Sequence, residues 1–221
     1  MCGRFTQYFT WAELVELYGL TGTAQNVQER YNVAPTNRVW TIRADENGRY
    51  ASRMRWGLIP SWWKQETAPG FTINSRAEGI ASAKMWGPLF KRRRIVLPMS
   101  GFYEWSGAKG SKRTFYITLA SGEPMSVAGL WDTWTSPEGE EITSCSLITT
   151  EANSRMAEVH DRMPVILGRY DLDGWLSGRA DEAALKPCPA DWIEVREISS
   201  RVNKAKDGHD DPACIEPLKG S

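Results

Sequence analysis

Cys2 is the residue whose position in this sequence could do the most distinctive chemistry. The initiator methionine is generally removed when the second residue is small, and the mature chain would then begin with an amine and a thiol on adjacent carbons. The ordinary pKa values of such groups, about 8 and about 8.5, leave part of each ready to attack near neutral pH. Attack on one aldehyde would form an imine and then close a five-membered thiazolidine ring. The alternative is a small residue at a disordered terminus.

Three further side chains could support such chemistry. Glu104 lies among aromatic residues, where partial desolvation would suit a carboxylate to proton transfer. His160 carries an imidazole, which can donate or accept a proton near neutral pH. Asn74 has an amide that could orient an amine or a hydroxyl group. Each has a plainer alternative, namely an outward-facing strand residue, a packing histidine and a turn asparagine.

Cysteine together with histidine also fits a thiol peptidase, and the spacing of Cys2 and His160 does not exclude one. The other cysteines indicate no chemistry: Cys145 is typical of a small core residue on a strand, while Cys188 and Cys214 lie in loops near prolines. No two cysteines have the spacing of a zinc site, and the chain has only two histidines. We therefore predict no metal and no cofactor.

Trp62 and Trp63 are adjacent and precede Lys64. Neighbouring residues on a strand point to opposite faces, so a pair of tryptophans after a stretch that is typical of a loop need not belong to one core. Aromatic rings beside cations suit stacking on the bases of single-stranded nucleic acid. Two packed core aromatics are the alternative.

The charge of the chain is zero overall but unevenly spread. The first half has an excess of Lys and Arg, and the second half has a matching excess of Asp and Glu. Between Glu78 and Glu104 the charged residues are all cations, namely Lys84 and the run Lys91–Arg94. Such a run either widens a positive face toward a polyanion or forms plain solvated surface.

Length and composition set the class of protein. The chain has 221 residues, 41% hydrophobic and 24% charged, which is ordinary for one globular domain and excludes wholesale disorder, collagen-like repeats and coiled coil. No apolar run approaches the roughly 18 residues of a membrane span. The first residues lack the pattern of a signal peptide, so we expect a cytoplasmic protein with reduced cysteines.

The elements that must position these residues are mostly strands. Thr10 and Glu13 form a capping box that begins a helix over 11–18, and Gly19 ends it. The segments 39–43 and 49–56 flank a turn and predict a hairpin. Further predicted strands cover 94–98, 101–105, 113–119, 125–131, 141–149, 165–167 and 192–198, and short helices are predicted at 153–159, 172–176 and 181–185.

This pattern predicts an α+β fold, a single domain over 1–221 with a curled, largely antiparallel, barrel-like sheet and peripheral short helices. The tail from about residue 200 is polar, and we expect it to wrap the surface.

Six segments together resemble the signature blocks of the SOS-response-associated peptidase (SRAP) family. They occur in order along nearly the whole chain, which makes the resemblance specific. Ser75 departs from the alanine that the family would carry there, a mild change beside Asn74. The segments are Met1-Cys2-Gly3-Arg4-Phe5, Arg30-Tyr31-Asn32-Val33-Ala34-Pro35, residues 55–63 from Arg55 to Trp63, residues 73–78 from Ile73 to Glu78, Gly101-Phe102-Tyr103-Glu104-Trp105 and His160-Asp161-Arg162-Met163-Pro164.

The resemblance implies a compact α+β domain that shields abasic sites in single-stranded DNA. The opened deoxyribose of such a site is an aldehyde, which Cys2 would capture as a thiazolidine crosslink after the protein has removed its own Met1. The implied partner is single-stranded DNA with abasic sites, including single-strand/double-strand junctions, bound by a monomer that is nucleoid-associated when on DNA. A cysteine peptidase acting on other proteins and a noncatalytic single-strand-binding module are the alternatives.

The resemblance also implies roles for individual residues. Cys2 would be the nucleophile, Asn74 would hold the terminal amine and the opened sugar, Glu104 would shuttle protons, and His160 would stabilise the sugar oxygen. Arginine forks suit phosphates. The implied DNA-binding set comprises Arg4, Arg76 and Arg162 on phosphates, Trp62 and Trp63 as a wedge or stacking platform, and Asn32, Pro35, Trp105 and Thr149 as lining residues.

Overall fold

The computed structural model of this protein describes residues 2–70, 72–108 and 110–218, apart from the side chains of residues 204–207. Strands make up most of the regular structure, with a few short helices. The strands are β1 (Phe5–Gln7), β2 (Arg30–Val33), β3 (Arg38–Asp45), β4 (Gly48–Trp56), β5 (Asn74–Arg76), β6 (Arg94–Met99), β7 (Gly101–Ser106), β8 (Arg113–Leu119), β9 (Met125–Thr135), β10 (Glu141–Glu151), β11 (Arg162–Pro164), β12 (Ile166–Leu167) and β13 (Ile193–Ile198). The α-helices are α1 (Trp11–Tyr18), α2 (Gly87–Arg92) and α3 (Leu172–Leu176).

Five strands close into a mixed barrel. Strand β4 pairs antiparallel with β3, β3 with β6, β6 with β9 and β9 with β10, and β10 closes the circle by pairing in parallel with β4. Past that contact β5 continues along the same edge of β10, with Asn74 opposite Leu147, while β11 pairs with its last residues. The closing strand therefore carries two short neighbours at its C-terminal end.

A second, antiparallel sheet lies beside the barrel in the order β13-β8-β7-β1-β2. Strand β1 pairs with β7 through Phe5 and Phe102, which both belong to the hydrophobic core inside the barrel region. This pairing brings the segment that follows Cys2 against the first residues of β7.

Two hydrophobic clusters hold the architecture together. The first fills the barrel and the space under the second sheet and includes Trp56, Leu97 and Leu147. The second lies on the outer face of the barrel, where α1 and α3 cover it with side chains such as Tyr18 and Trp175, both fully buried. Burial of a large apolar side chain contributes roughly 1.5–3 kcal/mol.

The structure confirms the predicted fold class and its strongest local signals. Helix α1 spans the predicted residues, with the Thr10 hydroxyl accepting the Glu13 N–H and Gly19 in the left-handed conformation at φ 60°. The predicted hairpin is β3–β4, with Asp45 opposite Gly48. No helix in the described ranges is both long enough and apolar enough to cross a membrane.

Several elements differ from the prediction. The helix predicted over 153–159 is a single 3₁₀ turn, Met156–Glu158, because β10 and β11 pair antiparallel and the ten residues between them must reverse the chain. The helix predicted over 181–185 is likewise a 3₁₀ turn, Glu182–Ala184. The strand predicted over 165–167 is shorter, β12 at Ile166–Leu167, and the strand β11 directly before it was not predicted. Strands β1, β2 and β5 and helix α2 had no clear sequence signal.

The polar tail does more than cover surface. Its 3₁₀ helices Ser200–Asp207 and Pro212–Ile215 place Val202 and Cys214 in fully buried positions, with Val202 beside Tyr103 and Tyr116 of the second sheet. The Asp210 carboxylate accepts the backbone N–H groups of Tyr31 and Asn32 at 2.5 and 2.7 Å, so the tail covers the edge strand β2. Residues 219–221 of the predicted domain lie outside the described ranges.

Candidate active site

Cys2 lies just before β1 and is fully buried in the first hydrophobic cluster. Burial, and next the negative charge of Glu104, raise the pKa of the thiol far above its usual range. The thiol approaches the Arg4 carbonyl at 3.7 Å, and the Cys2 carbonyl accepts a hydrogen bond from the Asn74 amide at 3.0 Å. The residue is therefore an ordered, protonated thiol in a closed site, not part of a loose terminus.

Asn74 reaches Cys2 from β5, whose parallel pairing with β10 fixes the position of its side chain. The carbonyl partner requires that Nδ2 is the atom facing Cys2. The remaining amide atom, Oδ1, is buried and accepts no hydrogen bond within the described part of the chain. A buried acceptor without a donor is costly, and it is suited to receive an N–H or O–H from a ligand or a new terminus.

Glu104 approaches Cys2 from β7 and is only 3% exposed. Both faces of β7 are covered, because Phe102 packs toward the barrel and Tyr103 packs toward the tail. Alternation places Glu104 on the Phe102 side, and the Tyr103 N–H bonds the Arg4 carbonyl at 3.0 Å. The structure thus excludes the outward-facing alternative and places a carboxylate close enough to affect the thiol.

Thr149 links the strands that follow Asn74. It is fully buried on β10, opposite both Arg76 of β5 and Pro164 of β11. Its hydroxyl donates to the Ser75 carbonyl at 3.2 Å, and its own carbonyl accepts from Arg162 at 2.7 Å. Thr149 therefore joins the Asn74 strand to the segment that carries Arg162.

Arg162 forms a two-pronged ion pair with Glu78, at 2.5 and 3.0 Å. The guanidinium lowers the pKa of the Glu78 carboxyl through these hydrogen bonds. The Arg162 side chain is 15% exposed, whereas that of Glu78 is 55% exposed. Arg162, which is predicted to bind a DNA phosphate, is thus paired in this structure with Glu78, a carboxylate that was given no role in the sequence analysis.

His160 lies in the turn that leads into β11. Its Nδ1 accepts the backbone N–H of Arg162 at 3.0 Å and lies 2.8 Å from the Asp161 carboxylate. The first contact makes Nδ1 an acceptor, so a ring proton lies on Nε2. The Asp161 side chain is 87% exposed, so solvent screens its pair with the ring.

Three predicted DNA-binding residues contact the tail in this structure. The Arg4 guanidinium donates to Asn32 Oδ1 at 2.7 Å and to the Val202 carbonyl at 3.2 Å, and burial lowers its pKa. Asn32 is buried and donates to the Val202 and His209 carbonyls. The Trp105 indole N–H donates to Asn203 at 2.7 Å.

Pro35 lies in a tight turn between β2 and β3. The Asn37 N–H bonds the Ala34 carbonyl at 3.1 Å, and Thr36 has φ 75°, which is unfavourable for a β-branched residue. The Asn37 side chain holds the turn by accepting the Ala34 N–H at 3.1 Å and a guanidinium N–H of Arg30 at 3.0 Å. The turn is therefore fixed before any ligand binds.

Trp62 is exposed and Trp63 is not. Trp62 is 62% exposed and meets Trp63 edge to face, with ring centroids 5.7 Å apart. Trp63 is fixed by its indole N–H, which donates to the Thr67 carbonyl, and by its carbonyl, which accepts the Trp134 indole N–H. Trp63 thus supports the exposed ring of Trp62 at the surface. Arg76, another predicted DNA-binding residue, is also exposed.

The cation run 91–94 separates into two parts. Lys91 and Arg92 are exposed at the end of α2. Arg94 is buried, lies over the rings of Phe90 and Trp175, and donates to the Phe90 and Ala180 carbonyls. Only part of the run is solvated surface.

The structure brings Cys2, Asn74 and Glu104 together and joins Asn74 to Thr149, Arg162 and His160 through β10 and β11. All four cysteines are free and buried. No group of three or more metal-ligating side chains occurs in the described residues. Met1, whose removal the sequence predicts, lies outside them. This arrangement can hold Cys2 by its carbonyl beside the carboxylate of Glu104.

Comparisons with known proteins show which family this chain resembles. A family model described as SOS response associated peptidase (SRAP) matches residues 1–205. The chain is 34% identical to the abasic site processing protein YoqW of Bacillus subtilis over 98% of this chain and 99% of that protein. It is 28% identical to the abasic site processing protein YedK of Escherichia coli, covering 93% and 96% of the two chains.

The solved structures show the same fold. A crystal structure of a Bacteroides thetaiotaomicron protein superposes with a TM-score of 0.86 at 24% identity, over 98% of this chain and 99% of that one. A phage-related protein of Bordetella bronchiseptica gives a TM-score of 0.71 at 25% identity, over 90% and 95%.

Proposed function

The chain belongs to the SOS response associated peptidase (SRAP) family, and from that premise we propose that it processes abasic sites in single-stranded DNA by capturing them covalently through Cys2. The observation that carries the proposal is the convergence of Asn74 and Glu104 on Cys2 from separate sheets. The abasic site processing relatives named above support the choice of substrate.

The proposed reaction joins one aldehyde to one aminothiol with loss of one water. Hydrolysis of the Met1–Cys2 bond consumes a water, releases methionine and leaves an α-amine on Cys2. The amine nitrogen attacks the aldehyde carbon of the opened sugar, and loss of water leaves a carbon–nitrogen double bond. The Cys2 sulfur then bonds to the same carbon, and the thiol proton passes to the nitrogen.

Glu104 is the proposed proton carrier in these steps. A thiol whose pKa is raised by burial and by Glu104 does not ionise readily on its own. A base in contact with it is therefore needed when the ring closes, and Glu104 can take the proton from sulfur and return it to nitrogen. Water released from the adduct can receive its proton by the same route.

Asn74 is the proposed holder of the new terminus. Its Nδ2 already bonds the Cys2 carbonyl, and its buried Oδ1 can accept an N–H from the freed amine. Both contacts would fix the amine relative to the aldehyde, and fixed orientation lowers the entropic barrier to attack.

His160 and the arginines have supporting roles in the proposal. With Nδ1 accepting the Arg162 N–H, the His160 Nε2–H is the donor that would stabilise the sugar oxygen. Arg76 is exposed and suited to a phosphate, while Arg162 would exchange Glu78 for one. Trp62 would stack on a base, including one at a single-strand/double-strand junction.

The burial of Cys2 disfavours a peptidase that acts on other proteins. Such enzymes need a thiol with a lowered pKa, whereas burial and Glu104 both raise the pKa of Cys2. A noncatalytic single-strand-binding module would need no ordered Cys2, Asn74 and Glu104 cluster at all.

The deciding experiment mixes the purified protein with single-stranded DNA that carries one abasic site and resolves the products on a denaturing gel. We expect a slow band that requires the lesion and a free Cys2 amine. Cys2→Ser keeps the amine but lacks the thiol, so it should give a band only after borohydride reduction of the imine. Cys2→Ala should behave in the same way.

The controls separate the alternatives. Intact DNA and protein with its N-terminus blocked should give no band. A full, reductant-independent band with Cys2→Ala would contradict the thiazolidine mechanism. Equal, salt-sensitive binding to intact and abasic DNA without any covalent product would indicate the noncatalytic module.

A further inference from the structure

A second candidate site lies on the outer face of the β3–β4 hairpin, away from Cys2. Trp40 of β3 stands directly opposite Arg53 of β4, and Arg38 is the diagonal neighbour of Arg53. The guanidinium of each arginine approaches the backbone carbonyl of the other at 3.4 Å. The hairpin register thus fixes two arginines next to each other on one surface.

The wall facing these arginines comes from β1 and β2. Gln7 and Arg30 are cross-strand partners there, and the polar residues Asn26 and Gln28 precede Arg30. Together with the hairpin residues they enclose a cavity of about 140 Å³. Its lining residues are mainly polar, so the cavity suits a small anion better than an apolar ligand.

The floor of the cavity is rigid. The Gln7 amide exchanges hydrogen bonds with the Trp40 backbone at 3.0 Å in both directions and donates to the Pro98 carbonyl at 2.8 Å. The Trp40 ring packs against Trp11, and Arg53 lies over it at 5.8 Å. These contacts hold the arginines in place before any ligand arrives.

The cavity has an excess of positive charge. Arg30 pairs with Asp210, but no carboxylate of the described residues lies within salt-bridge distance of Arg38 or Arg53. Two like charges held together repel, and an anion between them removes that cost. Guanidinium groups bind phosphate oxygens in pairs, and the amides of Asn26 and Gln28 add neutral donors.

We propose that the cavity between Arg30, Arg38 and Arg53 binds a phosphate group of the DNA strand. That the phosphate belongs to DNA rests on the proposed function. DNA is favoured because Arg30 also donates to Asn37 at 3.0 Å, and Asn37 closes the turn of Pro35 immediately before Arg38. A strand that passes the Pro35 turn therefore reaches the cavity with a neighbouring phosphate.

The test measures noncovalent binding of intact single-stranded DNA as a function of salt, which needs no crosslinking. For single strands the slope of log K against log salt falls in magnitude by about 0.7 for each phosphate that the protein no longer neutralises. We expect Arg38→Gln/Arg53→Gln to lower the slope by at least that amount and the affinity several-fold. The matched control Arg179→Gln/Lys186→Gln removes two exposed charges elsewhere and should leave the slope unchanged.

A second arm uses inorganic phosphate and thermal unfolding. Stabilisation of the wild type by phosphate, but not of the double variant, together with the changed DNA slope supports the proposal. Phosphate stabilisation with an unchanged DNA slope would overturn the DNA source and leave a site for free phosphate. If phosphate does not stabilise the wild type and the DNA slope does not change, the proposed site is overturned altogether.

The single variants keep the proposal testable if the double variant misfolds. They also separate failure of the cavity from failure of the proposed function. If the double variant does not fold, Arg53→Gln should show a smaller decrease in slope, and Arg53→Lys should retain charge without the fork. Wild-type crosslinking with an unchanged slope in Arg53→Gln would contradict the cavity alone. A changed slope without wild-type crosslinking would contradict the proposed function alone.

Discussion

Asn74 holds the Cys2 carbonyl with one atom of its amide and buries the other without a described partner. We expect Asn74→Ala to slow crosslinking roughly 10- to 100-fold, because the Cys2 carbonyl and the freed amine would both lose their partner and a buried polar group without one costs about 1–3 kcal/mol. The rate of band formation on abasic DNA measures this effect.

Ser75→Ala is the matched control for that variant. Ser75 is buried on the same strand, and its hydroxyl donates to the Leu147 carbonyl at 3.3 Å and not to Cys2. It should crosslink at the wild-type rate. Equal slowing in both variants would mean that Asn74 acts only by holding β5 in place.

For individual residues, the sequence predicted the candidate site residues better than the side chains that bind them. Cys2, Asn74 and Glu104 follow from chemistry and family resemblance, and the structure brings these three together. Arg162 was predicted on phosphate, yet Glu78, 84 residues earlier, binds it. Local sequence carries no signal for a pair so far apart, because only the β5–β10–β11 pairing brings the two residues together.

The sequence predicts those elements whose conformation is determined by residues close together in the chain. Helix α1 and the β3–β4 hairpin were predicted because a capping box and a turn sequence lie within a few residues of each other. Strands β1, β2 and β5 have only three or four residues each, too few for an alternation pattern. Their strand conformation is set by β7, β10 and the tail, which the sequence does not place beside them.

The tail contact of Asp210 makes a testable contribution to stability. Its carboxylate accepts two backbone N–H groups of β2 and pairs with Arg30, so replacement leaves donors at a strand edge without a charged acceptor. We expect Asp210→Ala to lower the free energy of unfolding by about 1–3 kcal/mol. Urea denaturation measures the change.

Glu194→Gln on β13 is a suitable control, since it removes an exposed carboxylate that the structure uses in no described ion pair. Its free energy of unfolding should stay within about 0.5 kcal/mol of the wild type. A similar, small effect for Asp210→Ala would show that the tail covers β2 without stabilising it.

The whole molecule assembles the site from parts that are remote in sequence. Cys2 comes from the segment before β1, Glu104 from the second sheet and Asn74 from the edge of the barrel. Because the site lies between the two sheets, its thiol is buried by the same packing that stabilises the fold. The chemistry of Cys2 therefore depends on the complete domain, which sequence motifs alone do not convey.

The same packing buries several uncharged thiol and phenol groups. Their burial predicts that the protein becomes less stable at alkaline pH. Burial raises the pKa of Cys188 to about 11, and it raises the pKa of Cys2, Cys145, Tyr18 and Tyr103 further. An unfolded thiol releases its proton near pH 8.5, whereas the folded one retains it. Above that pH the folded state binds more protons than the unfolded state, so the free energy of unfolding falls as pH rises.

We expect urea denaturation under reducing conditions to show a steady decrease in stability from about pH 8.5 to pH 10. Each buried thiol adds up to about 1.4 kcal/mol per pH unit to the slope once its unfolded form is ionised. Cys145→Ala removes one such thiol from the barrel interior, so its slope should be shallower, whatever its stability at pH 7. Stability that is flat or rising across this range would mean that the interior opens enough to ionise these groups, and the closed Cys2 site would then open in the same way.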